Sequence, residues 1–179
     1  MAGSDLMALP EGAFDEVAPL AGAQLQGDHS GTGLRIGIAC AKFNGGITMR
    51  LLRGALEALA EAGTERDDVT VAWAPGAFEL PLVARAFATA GQVDAVLCLG
   101  AVVRGDTGHY DFVAGQCAAG ILDVALTTGV PVVFGVLTTD TLDQALERSE
   151  PDRTNKGGEA ARTGIEMVRL LRTGPLSPH

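Results

Sequence analysis

Apolar positions along this chain fall into two alternating patterns. Short, nearly continuous apolar runs are followed by longer stretches with apolar residues three and four apart. Leu34–Cys40, Val69–Trp73, Ala95–Val103 and Pro131–Leu137 are these runs, the last two without a break and the first two with one polar residue each, Arg35 and Thr70. A continuous run such as Ala95–Val103 suits a strand covered on both faces, as in a parallel sheet. Between them Ile47, Leu51, Ala55 and Leu59 share one helical face, as do Val113, Cys117, Ile121 and Val124. Gly63 and Gly91 stand where two of these helices should stop. Pro81 falls in the first turn of the helix predicted from about Glu79, where a missing N–H costs nothing. Thr141–Gln144 has capping-box spacing and opens a short helix to about Arg148. A polar connection, Ser149–Lys156, leads to a last helix with Ala161, Ile165, Val168 and Leu171 facing inward.

Strands alternating with helices imply repeated βαβ units. The fold expected is a three-layer α/β/α sandwich. Its four-stranded parallel sheet has flavodoxin-like order, with a possible short strand at Ala23–Gln26. Residues 1–22 hold no sustained period and are expected to form a mobile N-terminal extension. Residues 23–173 are expected to be one domain, and 174–179 a frayed tail.

Composition narrows the possible functions. At 179 residues and 47% hydrophobic the chain suits one well-buried domain. A formal net charge of −9 argues against nucleic acid or an anionic membrane surface as partner. No apolar run approaches the ~20 residues that cross a bilayer. Cys40, Cys98 and Cys117 are widely spaced in apolar contexts, which reads as three buried thiols in a reducing cytoplasm.

The chemistry concentrates in GAVVRGDTGHYDFV, Gly100–Val113. It reads as strand end, glycine-rich turn and helix start. Open α/β sheets place ligands at the carboxyl ends of their strands, and the start of a helix favours an anion. Gly105 and Gly108 allow close backbone approach, Thr107 offers a hydroxyl, and His109 is suited to moving a proton near neutral pH. The same sheet edge should gather Phe43 and Asn44, then Gly76–Glu79, then Ala101–His109, then Thr138–Asp140. That edge holds aromatic faces, backbone N–H groups, one carboxylate (Glu79) and one imidazole, with no nucleophile beside a base and no metal cluster. Read alone, these residues describe a small-molecule α/β enzyme or binder with a phosphorylated ligand. Arg148 and Lys156 read within one subunit as a helix-end charge and a solvated loop residue.

Five segments, GTGLRIGIACAKFN, VAWAPGAFELP, LCLGAVVRGDTGHYDFV, TTGVPVVFGVLTT and QALERSEPDRTNKGGEAA, together resemble the 6,7-dimethyl-8-ribityllumazine synthase family of riboflavin biosynthesis. They run in that family's order from about Gly31 to Leu171. The resemblance implies condensation of 5-amino-6-ribitylaminouracil with 3,4-dihydroxy-2-butanone 4-phosphate, with no cofactor and no metal. It implies that Phe43 stacks on the pyrimidine and that Ala77, Phe78 and Glu79 hold the ribityl chain. Ala101, Val102 and Val103 would bond the pyrimidine through their backbone. Gly105, Asp106 and Thr107 would form the phosphate turn, and His109 would be the catalytic proton carrier. Phe134, Arg148 and Lys156 match positions supplied by the neighbouring subunit.

The carboxylate of Asp106 suits a phosphate turn only if it points away from the ligand, since like charges about 4 Å apart repel by about 4 kcal/mol at an effective dielectric near 20. The implied partners are the two small-molecule substrates, further copies of the chain and riboflavin synthase. The family forms pentamers or sixty-subunit shells. The short connection Ser149–Lys156 favours the shell, whereas Pro151, which fixes φ there, and the acidic net charge oppose it. An archaeal-type riboflavin synthase and a lumazine- or flavin-binding shell protein are the competing readings.

Overall fold

A computed structural model of the chain describes residues 12–176. Four parallel strands, β1 (Ile36–Ala41), β2 (Val69–Ala74), β3 (Ala95–Val103) and β4 (Val132–Thr139), lie in the order β2-β1-β3-β4. Six helices accompany them among the described residues: α1 (Ala13–Val17), α2 (Gly45–Glu61), α3 (Leu80–Thr89), α4 (His109–Thr128), α5 (Leu142–Glu147) and α6 (Lys156–Leu171). This is the three-layer α/β/α arrangement with flavodoxin-like order that the sequence predicts.

The apolar runs of the two central strands, β1 and β3, are explained by the two faces of the sheet, whereas the edge strands β2 and β4 are only partly covered. Ile36, Ile38 and Cys40 of β1 join Ala95, Leu97 and Leu99 of β3 in a core shared with α2 and α6. The alternate residues Ala39, Ala41, Val96, Cys98 and Val102 pack on the other side with α3 and α4. Side chains alternate along a strand, so a strand covered on both faces needs apolar residues at every position. Each fully buried Leu or Ile contributes about 1.5–3 kcal/mol, so these two layers dominate the fold. A third cluster, Ile47, Leu51, Ala101, Leu137 and Ala145, seals the carboxyl end of the sheet beneath α5.

Local signals set the helix ends. Gly63 takes φ +87, and the pair Thr64 N–H to Leu59 C=O (3.0 Å) and Gly63 N–H to Ala60 C=O (3.0 Å) closes α2 as a Schellman motif. The Thr141 hydroxyl caps α5 by accepting from Gln144 N–H at 3.2 Å. The reciprocal Gln144 carbonyl accepts from Asp140 N–H rather than from Thr141, so the box closes one residue early. Helices α2 and α6 approach closely: a Cβ on Gly157 would stand 1.9 Å from the Leu51 carbonyl oxygen.

One expectation changes, and parts of the two terminal segments are described. No strand forms at Ala23–Gln26, because that segment meets no sheet edge. It runs along α6, where Gly27 lies against the Glu166 carbonyl and the Arg169 guanidinium donates to the Ser30 and Thr32 carbonyls. Within the expected extension, residues 12–22 contain α1 and a single 3-10 turn at Ala18–Leu20, without a buried side chain; residues 1–11 lie outside the described part. Gly174–Leu176 of the expected frayed tail form a 3-10 turn, and residues 177–179 lie outside the described part. No described helix is long and apolar enough to cross a membrane.

Candidate active site

In this strand order the chain moves from β1 to β2 on one side and then crosses to β3 on the other. The crevice between the carboxyl ends of β1 and β3 is therefore the topological switch point. A cleft of 590 Å³ opens there. The loop after β1 contributes Phe43, 71% exposed, and Asn44. That loop is held on both sides: Phe43 N–H donates to Pro75 C=O at 3.1 Å, and the Asn44 side-chain amide donates to Ala101 C=O at 2.8 Å. Asn44 sits at φ 57, the one positive φ outside glycine among the described residues. Its carbonyl accepts the first N–H groups of α2, from Ile47 and Thr48. The chain thus turns sharply from β1 into α2 and leaves Phe43 in the cleft.

From the other walls come Ala77, Phe78 and Glu79 after β2, and Ala101, Val102 and Val103 at the end of β3. Both Phe78 and Glu79 are exposed to the cleft, and the Glu79 carboxylate lies over Gly76, where a Cβ would be 3.2 Å from Oε2. Gly105, Thr107 and the exposed His109 close the far side. The Thr107 hydroxyl accepts from His109 N–H at 3.4 Å, which bends the turn into the first turn of α4. Among the described residues, nothing accepts from the N–H groups of Gly105, Asp106 or Thr107. They are free for an anion. Asp106 is exposed and is not among the residues lining the cleft, so the turn borders it through Gly105 and Thr107.

Phe134, Arg148 and Lys156 lie elsewhere. They line a second cavity of 420 Å³ at the outer edge of β4, together with Glu159 and Thr163. Arg148 reaches the Gln144 carbonyl at 3.1 Å and Glu147 at 3.6 Å, while Lys156 Nζ pairs with Glu159 at 2.7 Å. The fourteen residues singled out in the sequence thus divide between the switch-point cleft and this second cavity, with Asp106 beside the first.

Sequence reasoning missed several neighbours. Tyr110, Phe112 and Val113, in the first turn of α4, also line the cleft. Helical spacing from His109 was the signal that could have found Phe112 and Val113, whereas Tyr110, its direct neighbour, carries none. Arg104 was also missed. It bonds Asp140 at 2.9 Å and Asp111 at 3.2 Å, with its guanidinium 4.0 Å from the centre of the Tyr110 ring. The Asp140 carboxylate, with Asp111 behind it, raises the Arg104 guanidinium above its ordinary range. One side chain so ties the ends of β3 and β4 to the start of α4.

The thiols sit away from this chemistry. Cys40, Cys98 and Cys117 are free and buried; burial pushes Cys40 and Cys117 up to about 11 and Cys98 higher still. None is poised as a thiolate nucleophile. Among the described residues no group of three or more His, Cys, Asp or Glu side chains could hold a metal ion.

Fold and cleft define a doubly wound α/β protein with a cleft at its switch point, bordered at one end by a turn whose N–H groups have no partner among the described residues. Residues 33–172 match the family model of 6,7-dimethyl-8-ribityllumazine synthase. The chain belongs to that family of enzymes, whose name places it in lumazine synthesis within riboflavin biosynthesis.

Proposed function

We propose that this chain condenses 5-amino-6-ribitylaminouracil with 3,4-dihydroxy-2-butanone 4-phosphate to give 6,7-dimethyl-8-ribityllumazine, releasing phosphate and water. The observation that carries the reading is the make-up of the switch-point cleft. Aromatic faces, open backbone groups, an anion-ready turn and one imidazole converge there, within the part of the chain that matches the family.

The amine of the pyrimidine attacks the ketone, and loss of water gives an imine, so no enzymic nucleophile is required. Phosphate then leaves, and the second amine closes the ring with loss of a further water. These steps need positioning and proton transfer. Phe43 stacks on the pyrimidine, the backbone of Ala101–Val103 bonds its edge, and Ala77, Phe78 and Glu79 hold the ribityl chain. Gly105 and Thr107 seat the phosphate with the Asp106 side chain turned away. His109 carries protons between the reacting groups.

The cleft lining contains no lysine or arginine. On this reading a neighbouring copy brings Phe134, Arg148 and Lys156 to the cleft, so the working unit is a homo-oligomer, a pentamer or a sixty-subunit shell, acting in the cytoplasm beside riboflavin synthase. Phosphate release on mixing the two substrates tests the reaction. Conversion of added lumazine to riboflavin, without phosphate release from the substrate pair, would make the chain a riboflavin synthase instead. Binding of lumazine with neither reaction would make it a carrier or shell. Mixed assemblies of Arg148→Ala and Phe43→Ala chains test the shared site: activity should return in the mixture, because some clefts then draw both intact residues from different chains.

A further inference from the structure

The connection between α5 and α6 is closed at its neck by one backbone bond, from Lys156 N–H to Arg148 C=O at 3.0 Å. The two cations of the second cavity therefore flank a single hydrogen bond. Asn155, only 2% exposed, fills the centre of the loop. Its amide nitrogen donates to the carbonyls of Ser149 (3.0 Å) and Glu150 (2.9 Å), and more weakly to that of Arg50 on α2 (3.4 Å). Its oxygen accepts from Gly157 N–H (2.9 Å) and Gly158 N–H (3.3 Å), capping α6. A Cβ on Gly54 would stand 2.2 Å from that oxygen, so α2 is bare where Asn155 enters. Both ends of the amide are in use, and each end does a different job: the oxygen caps a helix, and the nitrogen gathers the loop carbonyls.

We propose that Asn155 is a positioning residue for the phosphorylated substrate. By locking the loop it holds Arg148 and Lys156 as one preformed pair at the β4 edge, ready for the neighbouring cleft. The inference rests on the shared-site reading given above. Cations held in place before the substrate arrives bind and orient it without the cost of ordering them.

Asn155→Asp separates the two jobs. A carboxylate still accepts from Gly157 and Gly158, and its charge suits the start of α6. It has no N–H for the Ser149, Glu150 and Arg50 carbonyls. The expected result is a KM for the phosphorylated ketone raised roughly 10- to 100-fold, since a misplacement near 1 Å can cost about 10²-fold, with the KM for the pyrimidine little changed. Mixed with Phe43→Ala chains, Asn155→Asp chains should regain activity; mixed with Arg148→Ala chains they should not, because both defects lie in the same half of the site. A purely structural role predicts a different outcome, with both KM values moving together or neither moving, and either result overturns the proposal. Should Asn155→Asp fail to fold, Asn155→Ser, neutral and smaller, is read by the same two KM values and the same mixtures. If Arg148→Ala and Phe43→Ala chains do not complement each other, the shared-site reading falls and this proposal with it. If they do, while Asn155→Asp and Asn155→Ser keep the wild-type KM, this proposal alone is overturned.

Discussion

Replacing Asn44 tests how the β1 turn holds Phe43 in the cleft. Two features of Asn44 contribute separately. Its side-chain amide donates to the Ala101 carbonyl at 2.8 Å, and its backbone occupies the left-handed region at φ 57, ψ 40. Loss of the hydrogen bond costs about 1 kcal/mol. Forcing an alanine into the left-handed region adds roughly 1–2 kcal/mol, whereas glycine adopts it freely. Asn44→Ala should therefore lose about 2–3 kcal/mol and Asn44→Gly about 1 kcal/mol. In a chain of this size that corresponds to melting points lower by about 4–12 °C and 2–4 °C respectively. Thermal unfolding must be compared at one protein concentration, because association shifts apparent stability. Both variants should also raise the KM for the pyrimidine, since the loop carrying Phe43 loses its tie to β3. Equal destabilisation by Ala and Gly would show that backbone conformation is not the source of the loss. An Asn44→Ala protein within about 0.5 kcal/mol of the parent, the usual range for an unconstrained surface change, would refute the whole argument.

His109→Ala should slow turnover by about 10²–10⁴-fold at saturating substrate without abolishing it, because positioning survives; an unchanged rate in the folded variant removes His109 from the mechanism. Asp94 ties β1, β3 and α6 together: burial pushes its carboxyl up, but Arg35 N–H at 2.7 Å and the Arg172 guanidinium at 2.5 Å outweigh this and hold it below the usual range. A carboxyl lowered by folding stabilises fully above its unfolded pKa and loses that contribution as pH falls through its folded pKa. Urea midpoints should therefore fall below about pH 4, and Asp94→Asn should flatten that fall; an identical pH slope in the variant would contradict this. Sedimentation at physiological salt should show a megadalton species, on the short length of Ser149–Lys156; a species near the mass of five chains with nothing heavier refutes the loop-length argument.

Strand β3 was legible to the residue, Ala95–Val103, because nine apolar positions in sequence leave no polar face to expose. Helix α2 begins at Gly45, ahead of its first apolar residue, because Gly45 and Gly46 carry no periodic signal and the start is set by the backbone of Asn44. The segment AQLQ at Ala23–Gln26 alternates like a strand, yet pairing needs a free edge, and no pattern within four residues states whether one is near. The cleft lining was legible where it comes from short contiguous motifs. The Arg104 ties to Asp140 and Asp111 were not, since charges in turns carry no mark of the partner they meet in space. Asn155 went unread within the polar connection Ser149–Lys156: asparagine is a favoured helix cap, but the three carbonyls gathered by its nitrogen depend on how the loop folds.

Charge placement explains why Arg148 and Lys156, rather than Arg104, suit the phosphate on the reading proposed here. Arg104 is next to the turn in sequence, but two carboxylates and an aromatic face hold it at once, and drawing it to a ligand would undo all three contacts and loosen the start of α4. Arg148 and Lys156 each rest on a single carboxylate one or three residues away, with side chains 46% and 43% exposed. Exposed pairs of that kind contribute about 0–1 kcal/mol, whereas a hydrogen bond from a cation to a charged phosphate contributes about 1.5–3 kcal/mol. Exchange of Glu147 and Glu159 for phosphate is therefore downhill. The resting partners keep the cations soluble and close to their working positions without competing with the substrate. On that reading the cleft stays apolar around the pyrimidine, and the dianion's charge is met by groups that arrive with the neighbouring copy. A site built this way turns over only when assembled, so dilution to separated chains should abolish phosphate release while leaving the fold of each chain intact.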